Sequence, residues 1–128
     1  MPDNATPAKI STAKEFKGTL GERRMKKEEP ESLKKLKDEG YLVAITEHWN
    51  PFARIRQDMF GFCDIMAIRD KEILFVQTTS ATNANARIKK IANCEHVGII
   101  RKAGIMIHVH GWHKNKSNRW ECKVRDVS

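Results

Sequence analysis

The chain has 128 residues, 40% of them hydrophobic, which suits one domain with a small core. Lysine and arginine outnumber aspartate and glutamate by 24 to 16, and the net charge of +8 favours a polyanionic partner such as nucleic acid. No apolar stretch approaches the roughly 18 residues of a membrane span, and the first residues lack the apolar centre of a signal peptide. Three cysteines without a CxxC pair argue against a disulfide scaffold. We therefore expect a cytoplasmic protein with no membrane contact.

The first 18 residues are polar, with two prolines and few large apolar groups. This composition predicts a flexible basic arm over residues 1–18. Residues 19–128 are then expected to form a single domain.

Two helical segments are predicted at the start of that domain. Residues 19–29 carry a threonine and Glu22 in capping-box spacing, and Pro30 either kinks this helix or begins another. Leucines three residues apart mark the buried side of a helix over 31–39. Gly40 follows in the position of a C-terminal cap.

Three strands are predicted next, over residues 41–49, 63–68 and 73–79, because these segments are rich in β-branched and aromatic residues. The segment 50–58 is expected to be a loop. A tight charged turn at 69–72 joins the second and third strands, so these two should form a hairpin.

The second half of the chain predicts a helix over 83–94, a short buried strand over 97–100, and further strands over 104–112 and 119–127. A hairpin followed by a strand–helix–strand crossover predicts an α/β fold. Its mixed sheet would be flanked by helices and extended by C-terminal strands.

Polar side chains interrupt the two strands of the predicted hairpin. Asp64 lies in an otherwise apolar run, and the next strand ends in Gln77, Thr78 and Thr79. An ionised aspartate inside a sheet is costly unless a partner or a metal compensates it. A structural explanation is equally open at this point: Asp64 would bond a loop amide or Arg56, and the hydroxyls would cap the following helix.

The pattern over residues 17 to about 110 resembles the PD-(D/E)xK nuclease superfamily, in particular its small phage-type and Holliday-junction-resolvase-like members. The sequence GFCD, ending in Asp64, is similar to the glycine-containing lead-in to the first active-site acid. Gln77-Thr78-Thr79 stands where the family has (D/E)xK. The resemblance implies a restriction-endonuclease-like αβββαβ core. It also implies a helix-borne acid, with Glu22 in its place and Glu29 or Glu31 fitting the spacing to Gly40 better.

The resemblance also implies a metal site for Mg²⁺ or Mn²⁺, with Asp64 and Gln77 as ligands. Gln77 can ligate through its carbonyl oxygen but carries no charge, and Thr79 cannot supply the positive charge of the family's lysine. Other acids are candidates to complete the site: Asp58, Glu47 or Glu22. A cation on the next helix, Arg87 or Lys90, is the candidate replacement for the lysine.

Candidate nucleic-acid contacts cluster near this site. Trp49, Phe52, Arg54 and Arg56 lie in one segment, and arginines beside aromatics can hold phosphate and stack on unpaired bases. The alternative is a solvated loop with its aromatic rings packed on the core. Further basic candidates are Arg87, Lys90, Lys114 and Lys116.

Three histidines, His108, His110 and His113, lie close together. With Cys94 or His96 they could ligate zinc, but alternating histidines on a strand are more often its polar face.

Two functions of different classes follow. The first is a metal-dependent DNA endonuclease, phage-encoded and acting in the host cytoplasm, with branched DNA as its expected substrate. Such a substrate would call for two active sites, and hence for a homodimer. The second is an inactive nuclease fold that binds nucleic acid or protein, or more weakly a basic interaction protein without nucleic acid.

Overall fold

The computed structural model describes residues 27–128, so the predicted arm (1–18) and nearly all of the first predicted helix (19–29) lie outside the described residues. In chain order the described elements are α1 (Glu28–Asp38), β1 (Leu42–Ile45), β2 (His48–Asn50), β3 (Ile55–Gln57), β4 (Ile65–Arg69), β5 (Glu72–Ser80), α2 (Ala84–Ala92), α3 (Val97–Lys102), β6 (Met106–Lys114) and β7 (Trp120–Asp126). Pro30 lies in the first turn of α1, where its missing N–H costs nothing. Gly40 follows the helix with φ 92°, a conformation that favours glycine.

Five strands form one mixed sheet in the order β1-β4-β5-β6-β7. β4 and β5 are the predicted hairpin, with Ile65 opposite Val76. β5 and β6 are parallel, and the connection between them runs through α2 and α3. The predicted mixed α/β architecture, with a crossover and an added C-terminal strand, is confirmed.

The prediction of one strand over 41–49 is wrong, as is that of a loop throughout 50–58. β1 ends at Ile45, and β2 and β3 form a separate two-stranded hairpin. Backbone pairing with the sheet continues only through Thr46, whose N–H donates to the Asp64 carbonyl at 2.9 Å. The chain then leaves the sheet at Glu47, so one strand-like run of sequence supplies two elements.

The prediction of a strand over 97–100 is also wrong, because these residues begin α3. Val97 and Ile100 are buried while Ile99 is 73% exposed. Burial three residues apart is the spacing of a helix, and a short apolar run does not distinguish the two structures.

The apolar core lies on both faces of the sheet. α1 covers one face, where Leu36 packs with a cluster made of Tyr41, Val43, Ile65, Ala67, Leu74 and Val76. α2 and α3 cover the other, where Ile91 packs with Phe62, Cys63, Phe75, Ala84, Val97, Ile100, Ile107 and Val109. Among residues 27–128, no helix is long and apolar enough to cross a membrane.

Candidate metal centre

Three acids meet at one end of the sheet, where β1 and β5 finish and β4 begins. Glu29, Glu47 and Asp64 are 0%, 6% and 0% exposed. One carboxylate oxygen from each lies within 4.8 Å of the others. Residues far apart in the sequence therefore form one buried acidic cluster, which we call the acidic triad.

Glu29 reaches the triad from the first turn of α1. Glu29, Ser32 and Leu36 are its buried residues, at the i, i+3, i+7 spacing of one helix face. The Ser32 hydroxyl anchors this face to β6, because Ser32 Oγ lies 2.8 Å from His110 Nδ1 and accepts a 2.8 Å bond from Trp112 Nε1. The anchored helix presents Glu29 near its N-terminus, where the helix dipole favours negative charge.

Asp64 is delivered by a tight turn just before β4. Phe60 and Gly61 both have positive φ, 56° and 85°, which explains the glycine in the GFCD sequence. Asp64 Oδ2 then accepts hydrogen bonds from Thr78 N–H and Gln77 Nε2, each at 2.9 Å. These bonds hold the carboxylate in one orientation.

Glu47 lies two residues after the end of β1, and Arg56 of β3 faces it. Arg56 Nε donates to Glu47 Oε2 at 2.7 Å. The arginine side chain is 16% exposed and that of the glutamate 2%. The pairing of Arg56 with Glu47 attaches the β2–β3 hairpin to the triad, and the sequence did not predict this contact.

Gln77 is buried on β5 beside Asp64, and Thr79, two residues on along the same strand, is 4% exposed. The bond from Gln77 Nε2 to Asp64 fixes which way the amide points. Within residues 27–128, the buried oxygens Gln77 Oε1 and Glu47 Oε1 accept no hydrogen bond. Both are therefore suited to binding a cation.

The donor set fits a hard divalent cation. Carboxylate and amide oxygens are the ligands that Mg²⁺, Mn²⁺ and Ca²⁺ prefer. When ionised, three carboxylates beside one guanidinium leave two negative charges, which one divalent ion would balance. Without a cation, carboxylates this close must share protons or repel one another. Burial raises the pKa of the neighbouring Cys63 thiol to about 12, so Cys63 offers no thiolate near pH 7.

Two predicted site residues lie elsewhere. Asp58 faces Lys90, with Oδ2 and Nζ 3.8 Å apart, and is not part of the acidic triad. Arg87 lies half-buried on α2, and Glu22 lies outside the described residues. Of the two candidates for the helix-borne acid within residues 27–128, Glu29 and Glu31, Glu29 is the one that reaches Asp64.

A cleft of about 760 Å³ opens beside the triad. Its lining includes three basic side chains, His48, Arg56 and Lys90, together with Asp58 and Phe60. Arg56 thus contacts a triad carboxylate on one side and lines the cleft on the other. The triad carboxylates do not line the cleft themselves, and Arg56 is the residue that links the two.

The remaining predicted nucleic-acid residues lie on the β2–β3 hairpin and near the end of β6. Trp49 pairs with Arg56 across the β2–β3 hairpin, and Arg54 is exposed at its turn with φ 58°. Lys114 ends β6, at the same end of the sheet as the triad, and its Nζ lies 5.2 Å from the centre of the Trp120 ring. Lys116 is exposed in the following turn.

The three clustered histidines have separate partners. His108 Nε2 lies 3.7 Å from Asp126, and His113 Nε2 lies 3.2 Å from Glu121. His110 is buried against Ser32. Burial, with smaller effects from the charges of Lys35 and His108, lowers the pKa of His110 to about 3, so this imidazole is neutral.

Sequence reasoning named Asp64 and Gln77, left Glu29 open beside Glu22 and Glu31, gave Glu47 only as one of several substitutes, and placed Arg56 in a loop. The available signal was position: Glu47 closes an apolar strand and Arg56 follows a few residues later. Comparisons of this chain with protein-family models, curated proteins and solved structures find no match.

Proposed function

We propose that this protein is a metal-dependent DNA endonuclease of the PD-(D/E)xK type. The observation that carries the proposal is the buried triad of Glu29, Glu47 and Asp64 beside a cleft lined with basic side chains. The element order supports it, because α1, β1, β4, β5, α2 and β6 follow the αβββαβ succession that the sequence resemblance implies. The β2–β3 hairpin is an insertion in that order.

In this proposal the triad and Gln77 hold Mg²⁺ or Mn²⁺. The ion would lower the pKa of an attacking water and offset the charge that develops on the phosphate. Hydrolysis forms a bond from the water oxygen to phosphorus and breaks one P–O ester bond, and the departing oxygen ends with a proton. Thr78 N–H and Gln77 Nε2 keep Asp64 oriented, and the basic side chains of the cleft hold the flanking phosphates.

The test is cleavage of labelled linear, flapped and four-way DNA by the purified protein in Mg²⁺ and in Mn²⁺. Asp64→Asn should lower the rate about a thousandfold, because removing one charge next to a divalent ion costs on the order of 4 kcal/mol. The exposed Asp38, which forms an ion pair with Lys34 at 3.7 Å, provides the control variant Asp38→Asn, whose rate should be unchanged.

Equal cleavage by wild type and Asp64→Asn would contradict the proposal. Binding of DNA without cleavage in either metal would favour the second candidate, a nuclease fold that has become a binding module. The substitutions Gln77 and Thr79 at the acid and lysine positions are the observation behind that candidate.

A further inference from the structure

The proposed site needs a positive charge that its β5 strand does not supply. The residue two positions after Gln77 is Thr79, which carries no charge. Lys90 on α2, one predicted replacement, is 43% exposed and faces Asp58 at 3.8 Å. Lys90 therefore lines the cleft beside Asp58, and its ion pair is not with a carboxylate of the acidic triad.

Arg56 is a cation of residues 27–128 that contacts the acidic triad, through Glu47. Its guanidinium donates to Glu47 at 2.7 Å, and its side chain is largely buried yet lines the cleft. It lies in β3, opposite Trp49, so the hairpin backbone fixes its position. Because Arg56 lies between the triad and the cleft, its guanidinium can bond Glu47 and also contact an anion bound in the cleft.

We propose that Arg56 is a catalytic residue that contacts the scissile phosphate, in place of a lysine on the central sheet. This inference rests on the proposed function. A guanidinium stays protonated at any working pH and presents its N–H groups in a planar fork that matches phosphate oxygens. Its charge opposes the negative charge that accumulates on phosphate during hydrolysis. The β2–β3 hairpin would then contribute a residue to the active site.

The competing explanation is structural: the Arg56–Glu47 ion pair would only attach the hairpin to the sheet. Both explanations predict a less stable protein when Arg56 is replaced. They differ in what happens to phosphate binding and to the rate, so the test must measure both.

The variants are Arg56→Ala, Arg56→Gln and Arg56→Lys, with Arg69→Ala as the matched control. Arg69 also forms an ion pair, with Glu72 at 3.2 Å. This pair lies at the turn of the β4–β5 hairpin, and the triad lies at the other end of that hairpin. Arg56→Gln keeps a side-chain donor for Glu47, so it serves where the alanine variant fails to fold. Each is compared with wild type by thermal unfolding, by cleavage rate, and by binding of a short DNA oligonucleotide in EDTA.

We expect Arg56→Ala and Arg56→Gln to lower the cleavage rate by about 100-fold or more, with partial rescue by added guanidinium ion. Arg56→Lys should remain impaired, since a point charge does not reproduce the planar fork. In EDTA, the logarithm of the DNA-binding constant falls linearly with the logarithm of the salt concentration. The magnitude of that slope should decrease by about one for the Arg56 variants and stay unchanged for Arg69→Ala.

Unchanged cleavage and an unchanged salt dependence in folded Arg56 variants would overturn the inference, and the nuclease proposal would stand. Absence of cleavage by wild type would overturn the nuclease proposal and, with it, the catalytic role of Arg56. The salt dependence would still show whether Arg56 contacts phosphate.

Discussion

Buried polar side chains at this site bond to one another: Gln77 donates to Asp64, and Arg56 donates to Glu47. Each bond fixes the orientation of the two side chains that it joins. The hydrogen bond from Gln77 Nε2 to Asp64 is the central example, because it places a neutral amide where a second carboxylate would repel. The amide keeps the metal-free protein stable at the cost of one ligand charge. If the triad binds a metal ion as proposed, the amide would weaken that binding and ease folding without the metal.

Gln77→Glu should reverse this balance. It replaces a bond to a buried carboxylate with repulsion, so we expect the metal-free stability to fall by about 2 kcal/mol and the affinity for Mn²⁺ to rise. Denaturant unfolding with and without Mn²⁺ measures both effects. A variant that is equally stable in EDTA, or that binds Mn²⁺ no more tightly than wild type, would show that Gln77 does not contribute to the site in this way.

His110 makes a second prediction, about pH. Between pH 6.5 and about 3 the unfolded chain takes up a proton on this imidazole that the folded protein excludes, so acid favours unfolding. From pH 6.5 to 5 the loss from this one group is about 1.5 kcal/mol. His110→Gln should remove that part of the pH dependence in urea unfolding. A constant difference between variant and wild type from pH 7 to 5 would contradict the prediction.

At the scale of the element, the β2–β3 hairpin differs most from expectation. Its turn holds Phe52, which is 98% exposed, and its last strand holds Arg56 against the triad. An aromatic ring that residues 27–128 leave this exposed, in the same hairpin as two arginines, suits stacking on an unpaired base.

Phe52→Ala should therefore weaken binding of single-stranded DNA about tenfold in metal-free buffer, with a smaller effect on duplex DNA. Ile99→Ala is the control, since Ile99 is 73% exposed on α3. Fluorescence anisotropy measures all of these affinities. An equal loss for both variants, or none for either, would count against a stacking role.

Local patterns predicted the elements whose contacts are close in sequence. The β4–β5 hairpin followed from its charged turn, and α2 from its apolar stripe. Strand 97–100 was wrong because four apolar residues fit a helix equally well. The run 41–49 was split because Glu47 makes its contacts outside the run, with Arg56 of β3 and with the other two triad acids.

The same limit applied to the site. Asp64 and Gln77 could be paired from the hairpin register, since they occupy neighbouring strands. Glu29 remained one of several glutamates until the docking of α1 on the sheet selected it. Arg56 could be assigned to nucleic acid from its neighbours, but not to Glu47, because that contact depends on a hairpin folding back toward the end of β1.

At the scale of the whole molecule, the charges are segregated. The chain carries a net charge of +8, yet the triad collects three acids in its interior. In the proposed function, the net positive charge would attract a polyanion and the buried acids would bind a metal ion. This arrangement joins DNA binding and metal binding in one account.

The most direct test of that account is calorimetric titration of Mn²⁺ into wild type, Asp64→Asn, Glu29→Gln and the Asp38→Asn control. We predict saturable binding to wild type and to the control, and a loss of binding in the two triad variants. The account would be contradicted if wild type bound no Mn²⁺, or if the triad variants bound it as tightly as wild type.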